Sequence, residues 1–209
     1  LVEQGRIAWV GHLEDAPAAA QGVLRLDLKG KVVVPGFVEP HMHLPPLAMM
    51  HDFSNIGPNR FETAAAALAQ LGEDARATPV GEWVVGRQID PSLQQGPDYL
   101  TKDLLDSVST EHPVFVYNTS LHLGYCNSVA LELAGIDAST PDPQGAEIGR
   151  DAQGNPNGVL KAGPAMALVV RHNTKLKNGN ITEGCLSVLG QANAVGITLL
   201  ADQGTGMVQ

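Results

Sequence analysis

His41 and His43, with Met42 between them, close the run Val32-Val33-Val34-Pro35-Gly36-Phe37-Val38-Glu39-Pro40. In an extended strand alternate side chains share a face. The two imidazoles then stand on one side and Met42 on the other, about 7 Å apart at the backbone. Two neutral imidazoles at that spacing lean together onto one divalent ion at about 2.0–2.1 Å. A bare His-x-His is also what two solvated histidines at a strand end look like. The apolar run before the pair favours the metal reading.

Glu39 alternates onto the same face and is a candidate to orient an imidazole, or a plain polar group of the strand. Asp202 ends the apolar run Ile197-Thr198-Leu199-Leu200-Ala201. It either faces the mouth of a sheet or caps the next helix. His122 follows an apolar strand near a helix start and is placed to touch a substrate or to pack locally. His12, His51, His112 and His172 lie in loops or beside prolines, where solvated rings are expected.

The elements that must position these groups follow from pattern. Arg6–Val10 and Val23–Leu28 read as short strands, and Val32–Val34 as the strand leading to the histidines. Leu44–Asn59 reads as a loop with short helical turns. The alanine-rich stretch 61–77 predicts a helix closed by Pro79. Trp83–Val85 and Val114–Tyr117 are strands. Thr101 and Asn127 or Ser128 are helix caps, and Gly135 is a helix end. Residues 138–157, with Pro141, Pro143 and Pro156, read as a long loop or hairpin. Thr182-Glu183 opens a helix carrying Leu186 and Leu189, Gly196 ends it, and Ile197–Ala201 is a buried strand. A helix, a glycine and an apolar strand form the αβ rhythm of a parallel sheet.

The chain has 209 residues, 44% hydrophobic and 17% charged, which is an ordinary globular composition. With only 4% aromatic residues, its core rests on aliphatic side chains. A formal charge of −9 opposes a nucleic-acid partner. No apolar run reaches the ~20 residues of a membrane helix, and no secretory signal is visible. Cys126 and Cys185 have no paired spacing and read as free thiols of a reducing, cytoplasmic compartment.

Several ordered segments carry a family resemblance. The first is Pro35-Gly36-Phe37-Val38-Glu39-Pro40-His41-Met42-His43. The second is Gly81-Glu82-Trp83-Val84-Val85-Gly86-Arg87 with Asp90-Pro91-Ser92-Leu93. The third and fourth are His112-Pro113-Val114-Phe115-Val116, and Leu121-His122 followed by Asn127–Ile136. The last is Gly149-Arg150-Asp151-Ala152-Gln153-Gly154-Asn155-Pro156-Asn157-Gly158-Val159-Leu160. Together they resemble the YtcJ-like, or amidohydrolase 3, branch of the amidohydrolase superfamily.

The resemblance implies an α/β fold: a partial (β/α)8 TIM barrel over residues 36–209, with an N-terminal β-sandwich segment over 1–35. An inserted α+β subdomain is expected at roughly 55–157. A whole barrel takes ~250 residues, so the expectation is the N-terminal half of a longer enzyme. The resemblance also implies a metal-dependent hydrolase of C–N bonds in amide-like small molecules. One or two divalent ions, with zinc expected, would sit on His41 and His43.

Lys161 is a candidate bridging ligand, because relatives carbamylate a lysine at a later strand end. Ala162 stands where such sequences carry an acid. His122 stands where they carry serine-glycine-histidine, with Leu121 in place of the glycine. Further ligands come from later strands. A homo-oligomer is compatible with this picture. Ala162 and the missing half also support a second reading, a non-catalytic truncated relative. A third, a His-x-His site in an unrelated β-barrel, is opposed by the helices between the strands.

Overall fold

The computed structural model describes residues 1–203, the side chains of residues 19, 177 and 178 excepted. Residues 204–209, the end of the expected barrel segment, lie outside the described residues. The chain divides into two units, 1–36 and 37–209.

In the first unit, β1 (Val2–Glu3) and β2 (Arg6–Ile7) form an antiparallel hairpin. Gln4 and Gly5 both have positive φ, the backbone of the turn that matches strand twist. The expected strands at Val23–Leu28 and Val32–Val34 are not formed, and the one at Arg6–Val10 is reduced to two residues. Leu24 is 97% exposed and Val32 86%. A strand needs a ladder partner for its N–H and C=O groups, and among the described residues these runs have none.

Among the described residues the second unit holds two sheets. In the smaller, β3 (Phe37–Met42) pairs in parallel with β10 (Ile197–Asp202), with Met42 opposite Asp202. Two helices accompany this pair: α1 (Leu44–Met49), which begins one residue after His43, and α7 (Ile181–Ala194), which leads into β10. The short α6 (Thr174–Asn178) precedes α7, and Asn180 caps α7, its Oδ1 accepting from the N–H groups of Thr182 and Glu183.

The larger sheet has β4 (Ser54–Asn55), β5 (Val84–Ile89), β6 (Val114–Asn118), β7 (Leu123–Cys126), β8 (Glu147–Arg150) and β9 (Pro156–Lys161), in the order β4-β5-β6-β7-β9-β8. Its first three strands are parallel and the rest antiparallel. Side-chain alternation splits its core into two layers. Val85, Phe115 and Tyr117 face Ala130 and Leu131 of α4 (Ser128–Ala134) and Met166 of α5 (Gly163–Val170). Val84, Val114 and Val116 face Ala67 and Leu71 of α2 (Ala64–Ala77) and Leu105 of α3 (Lys102–Asp106). A sheet covered on both faces reads as continuous apolar runs, as Val114–Tyr117 does.

Thr63 caps α2 by accepting from Ala66 N–H at 3.1 Å. Gly135, at φ +66°, ends α4 in the left-handed conformation. Neither sheet closes on itself, so the described residues make a mixed α/β fold without a closed barrel. β10 is not the buried strand its composition predicts. Leu199 is 57% exposed, because among the described residues only β3 covers an edge of β10. The helix that leads into β10 behaves alike: Leu186 and Leu189 of α7 are exposed.

Candidate metal centre

His41 and His43 lie where β3 ends and α1 begins. Their ring centres are 5.3 Å apart and nearly perpendicular. Two imidazoles bound to one tetrahedral ion at about 2.0–2.1 Å put their centres roughly 5 Å apart, so this pair suits one shared ion. The backbone holds them in place. Glu39 Oε1 accepts from His41 N–H at 3.0 Å, and the His43 carbonyl accepts from Leu47 N–H at 3.1 Å. Glu39 thus holds the histidine strand through its backbone. His41 is exposed and His43 half-buried.

The parallel register brings a carboxylate to the same strand end. Asp202 pairs with Met42, the residue between the histidines, and is half-buried. Gln203 N–H donates to the Met42 carbonyl at 2.9 Å, closing the pair. The helix that Asp202 was expected to cap would follow it, outside the described residues. Among the described residues no three His, Cys, Asp or Glu side chains form a metal cage.

Lys161 sits in the other sheet, at the end of β9. It lies opposite Glu147 on β8, and its Nζ is 2.6 Å from Glu147 Oε1. The hydrogen bond to Glu147 raises the Lys161 pKa and so favours the ammonium, whereas carbamylation needs the neutral amine. His122 is exposed in the β6–β7 turn, rather than close to the start of α4. Its carbonyl accepts from Ala162 N–H at 2.8 Å, which puts His122 beside the end of β9. The structure therefore groups His41, His43 and Asp202 on one strand pair, and His122 with Lys161 on the other sheet.

His112 corrects an expectation: it is buried, 5% exposed. Its Nδ1 lies 3.0 Å from the Glu82 carbonyl, a partner thirty residues away that no local pattern announces. Arg150-Asp151 with Gly154 forms a tight turn, with Gly154 N–H donating to the Asp151 carbonyl at 3.1 Å.

A family model described as the amidohydrolase family matches residues 26–208. The chain is 40% identical over 161 residues to an N-substituted formamide deformylase of Arthrobacter pascens, covering 77% of this chain and 30% of that protein. It is 33% identical over 210 residues to the exoenzymes regulatory protein AepA of Pectobacterium carotovorum subsp. carotovorum, covering 98% and 45%. It is 34% identical over 135 residues to the putative amidohydrolase YtcJ of Bacillus subtilis (strain 168), covering 65% and 25%. The chain thus spans less than half the length of each of these relatives.

Proposed function

The chain belongs to the amidohydrolase family, and from that premise we propose that it carries part of the site of a metal-dependent hydrolase cleaving a C–N bond in an amide-like small molecule. The observation that carries this reading is the imidazole pair His41–His43 at 5.3 Å, on a strand that runs parallel to one ending in Asp202. A divalent ion held there, zinc by expectation, supplies Lewis acidity toward a carbonyl and lowers the pKa of water to about 7.

The chain's own residues do the rest. His41 and His43 donate ring nitrogens. Glu39 fixes the His41 backbone. Asp202, at the adjoining strand end, would accept a proton from water on this reading. Strand C-terminal ends are where a parallel α/β barrel builds its site. On this reading β3 and β10 are barrel strands, residues 1–35 belong to a β-sandwich, and the stretch at roughly 55–157 is an insertion. The ligand is a small molecule, since a charge of −9 opposes nucleic acid. No described helix is long and apolar enough to cross a membrane. The free thiols Cys126 and Cys185 suit a cytoplasmic location.

The test is metal analysis of the natural full-length protein beside His41→Ala/His43→Ala. The expected result is about one or two divalent ions per chain, most of them lost in the double variant together with amide hydrolysis. Unchanged metal content would sink the assignment. A second reading, a non-catalytic relative, has one observation in its favour: Glu147 occupies the Lys161 ammonium beside Ala162. Wild-type protein that holds no stoichiometric metal and hydrolyses nothing across an amide panel would select it.

A further inference from the structure

Between α1, α5 and the C-terminal end of β6 lies a cavity of about 270 Å³. Met49 and Met50 line it from the end of α1, Tyr117 from β6, Leu121 from the β6–β7 turn and Met166 from α5. Among the described residues no charged one lines it. Met50, Tyr117 and Met166 are buried members of the core around it. Pro46, in the first turn of α1, also lines it. Pro46 lies three residues from His43, roughly 5 Å along a helix axis.

Two backbone conformations shape the far wall. Leu121 has φ +59° and Ala162 +68°, a region that residues with a Cβ seldom occupy. Leu121 N–H donates to the Asn118 carbonyl at 3.0 Å, and Ala162 N–H to that of His122 at 2.8 Å. These bonds hold the strained turn against the start of α5. Non-glycine residues stay in that region only where their surroundings over-determine it, and such sites concentrate at ligand clamps. Here the strain sets Leu121 into the cavity wall and starts α5 at Gly163, which also lines it.

An uncharged apolar pocket disfavours ions and accepts an apolar group; a sealed cavity of roughly 150 Å³ already takes benzene. Three methionines make a wall that repacks around flat or linear occupants. We propose that this cavity holds the apolar end of the substrate, a phenyl-sized or short alkyl group, while the C–N bond is presented to the end of β3. The proposal rests on the hydrolase reading above and adds the substrate class: amides with an uncharged apolar substituent.

The test uses the full-length protein, free of metal, with methyl-labelled methionines and 1-hexanol as probe. Saturable shifts are expected at Met49, Met50 and Met166 but not at Met42 on β3, and ethanol should produce none. Leu121→Asn keeps a residue that tolerates the left-handed backbone and puts an amide in the wall; it should weaken hexanol binding about tenfold with the melting temperature retained. In the metal-loaded protein, KM for N-alkyl amides should fall as the alkyl group lengthens, and the fall should flatten in Leu121→Asn. Absence of saturable shifts, or hydrolysis with a KM blind to chain length, would overturn the proposal. Hexanol binding at the three methionines without hydrolysis of any amide would support the cavity as an apolar site and remove the hydrolase reading instead.

Discussion

Gly184 of α7 lies directly against the Ala48 carbonyl of α1, so closely that a methyl group on Gly184 would overlap it. Since α1 starts next to His43 and α7 leads into β10, this contact joins the two strands of the candidate centre through their helices. Gly184→Ala should push the helices apart. Overpacking costs about 1–3 kcal/mol, and each kcal/mol lowers the melting temperature of a protein this size by roughly 2–4 °C. Gly190, in the same helix, is the control, because a methyl group there would meet no described atom within 4 Å. Gly190→Ala should be neutral or stabilise by up to about 1 kcal/mol. Equal melting of the two variants would show that the close approach is absent.

Asn127 is fully buried and uses its whole side chain. Its Oδ1 accepts from Val114 N–H at 2.9 Å and Ala130 N–H at 3.0 Å. Its Nδ2 donates to the carbonyls of Ser109 at 2.9 Å and His112 at 2.8 Å. Asn127→Ala strands four backbone groups, and a single unsatisfied buried group costs about 1–3 kcal/mol. Denaturant unfolding should show a loss of about 3 kcal/mol or more. Asn127→Asp keeps the acceptors but loses both donors and should also be destabilised. A loss within about 0.5 kcal/mol, the range of ordinary surface changes, would contradict this role.

Lys161 and Glu147 form a half-exposed ion pair, and such pairs contribute about 0–1 kcal/mol. Lys161→Met should therefore leave the melting temperature nearly unchanged. If the lysine serves only this pair, metal content and activity also persist, and bicarbonate has no effect on reconstitution. If it bridges metals, the variant loses the second ion and bicarbonate raises the activity of the metal-stripped wild type.

Burial raises the pKa of the Tyr117 and Tyr125 phenols and of the Cys126 thiol. The folded state keeps these groups neutral at a pH where the unfolded chain ionises them. Their contribution is fully present below the unfolded values, about 8.5 for cysteine and 10 for tyrosine, and is lost as pH rises beyond them. Stability should fall from about pH 9 upward, less steeply in Tyr117→Phe. Unfolding free energy that stays flat to about pH 11, beyond both unfolded values, would argue against the burial.

The two thiols should separate by reactivity. Cys126 is fully buried with its Sγ 3.6 Å from the Gly158 carbonyl, and Cys185 is half-buried on α7. The thiolate is the reactive form, so a thiol reagent at neutral pH should label Cys185 in the native protein and Cys126 only on unfolding. Equal labelling of both would place Cys126 at the surface.

Much of the site was legible from local pattern. Alternation puts His41 and His43 on one face of the chain, and it requires only that residues 41–43 be extended. Capping at Asn127, the left-handed Gly135 and the helix-to-strand passage of 181–202 are also local, fixed by side-chain oxygens and backbone freedom within a few residues. What spans the chain was decided in three dimensions. Residues 32–34 have strand composition and no strand, because a ladder needs a partner. His112 is buried by a carbonyl thirty residues earlier. Lys161 meets Glu147 through a hairpin register that composition does not specify. The cavity between Met49, Met50, Tyr117, Leu121 and Met166 exists only because α1 and α5 pack at the same end of β6. Periodicity says which face of an element is apolar, but only packing says which two faces meet and whether they leave a space between them.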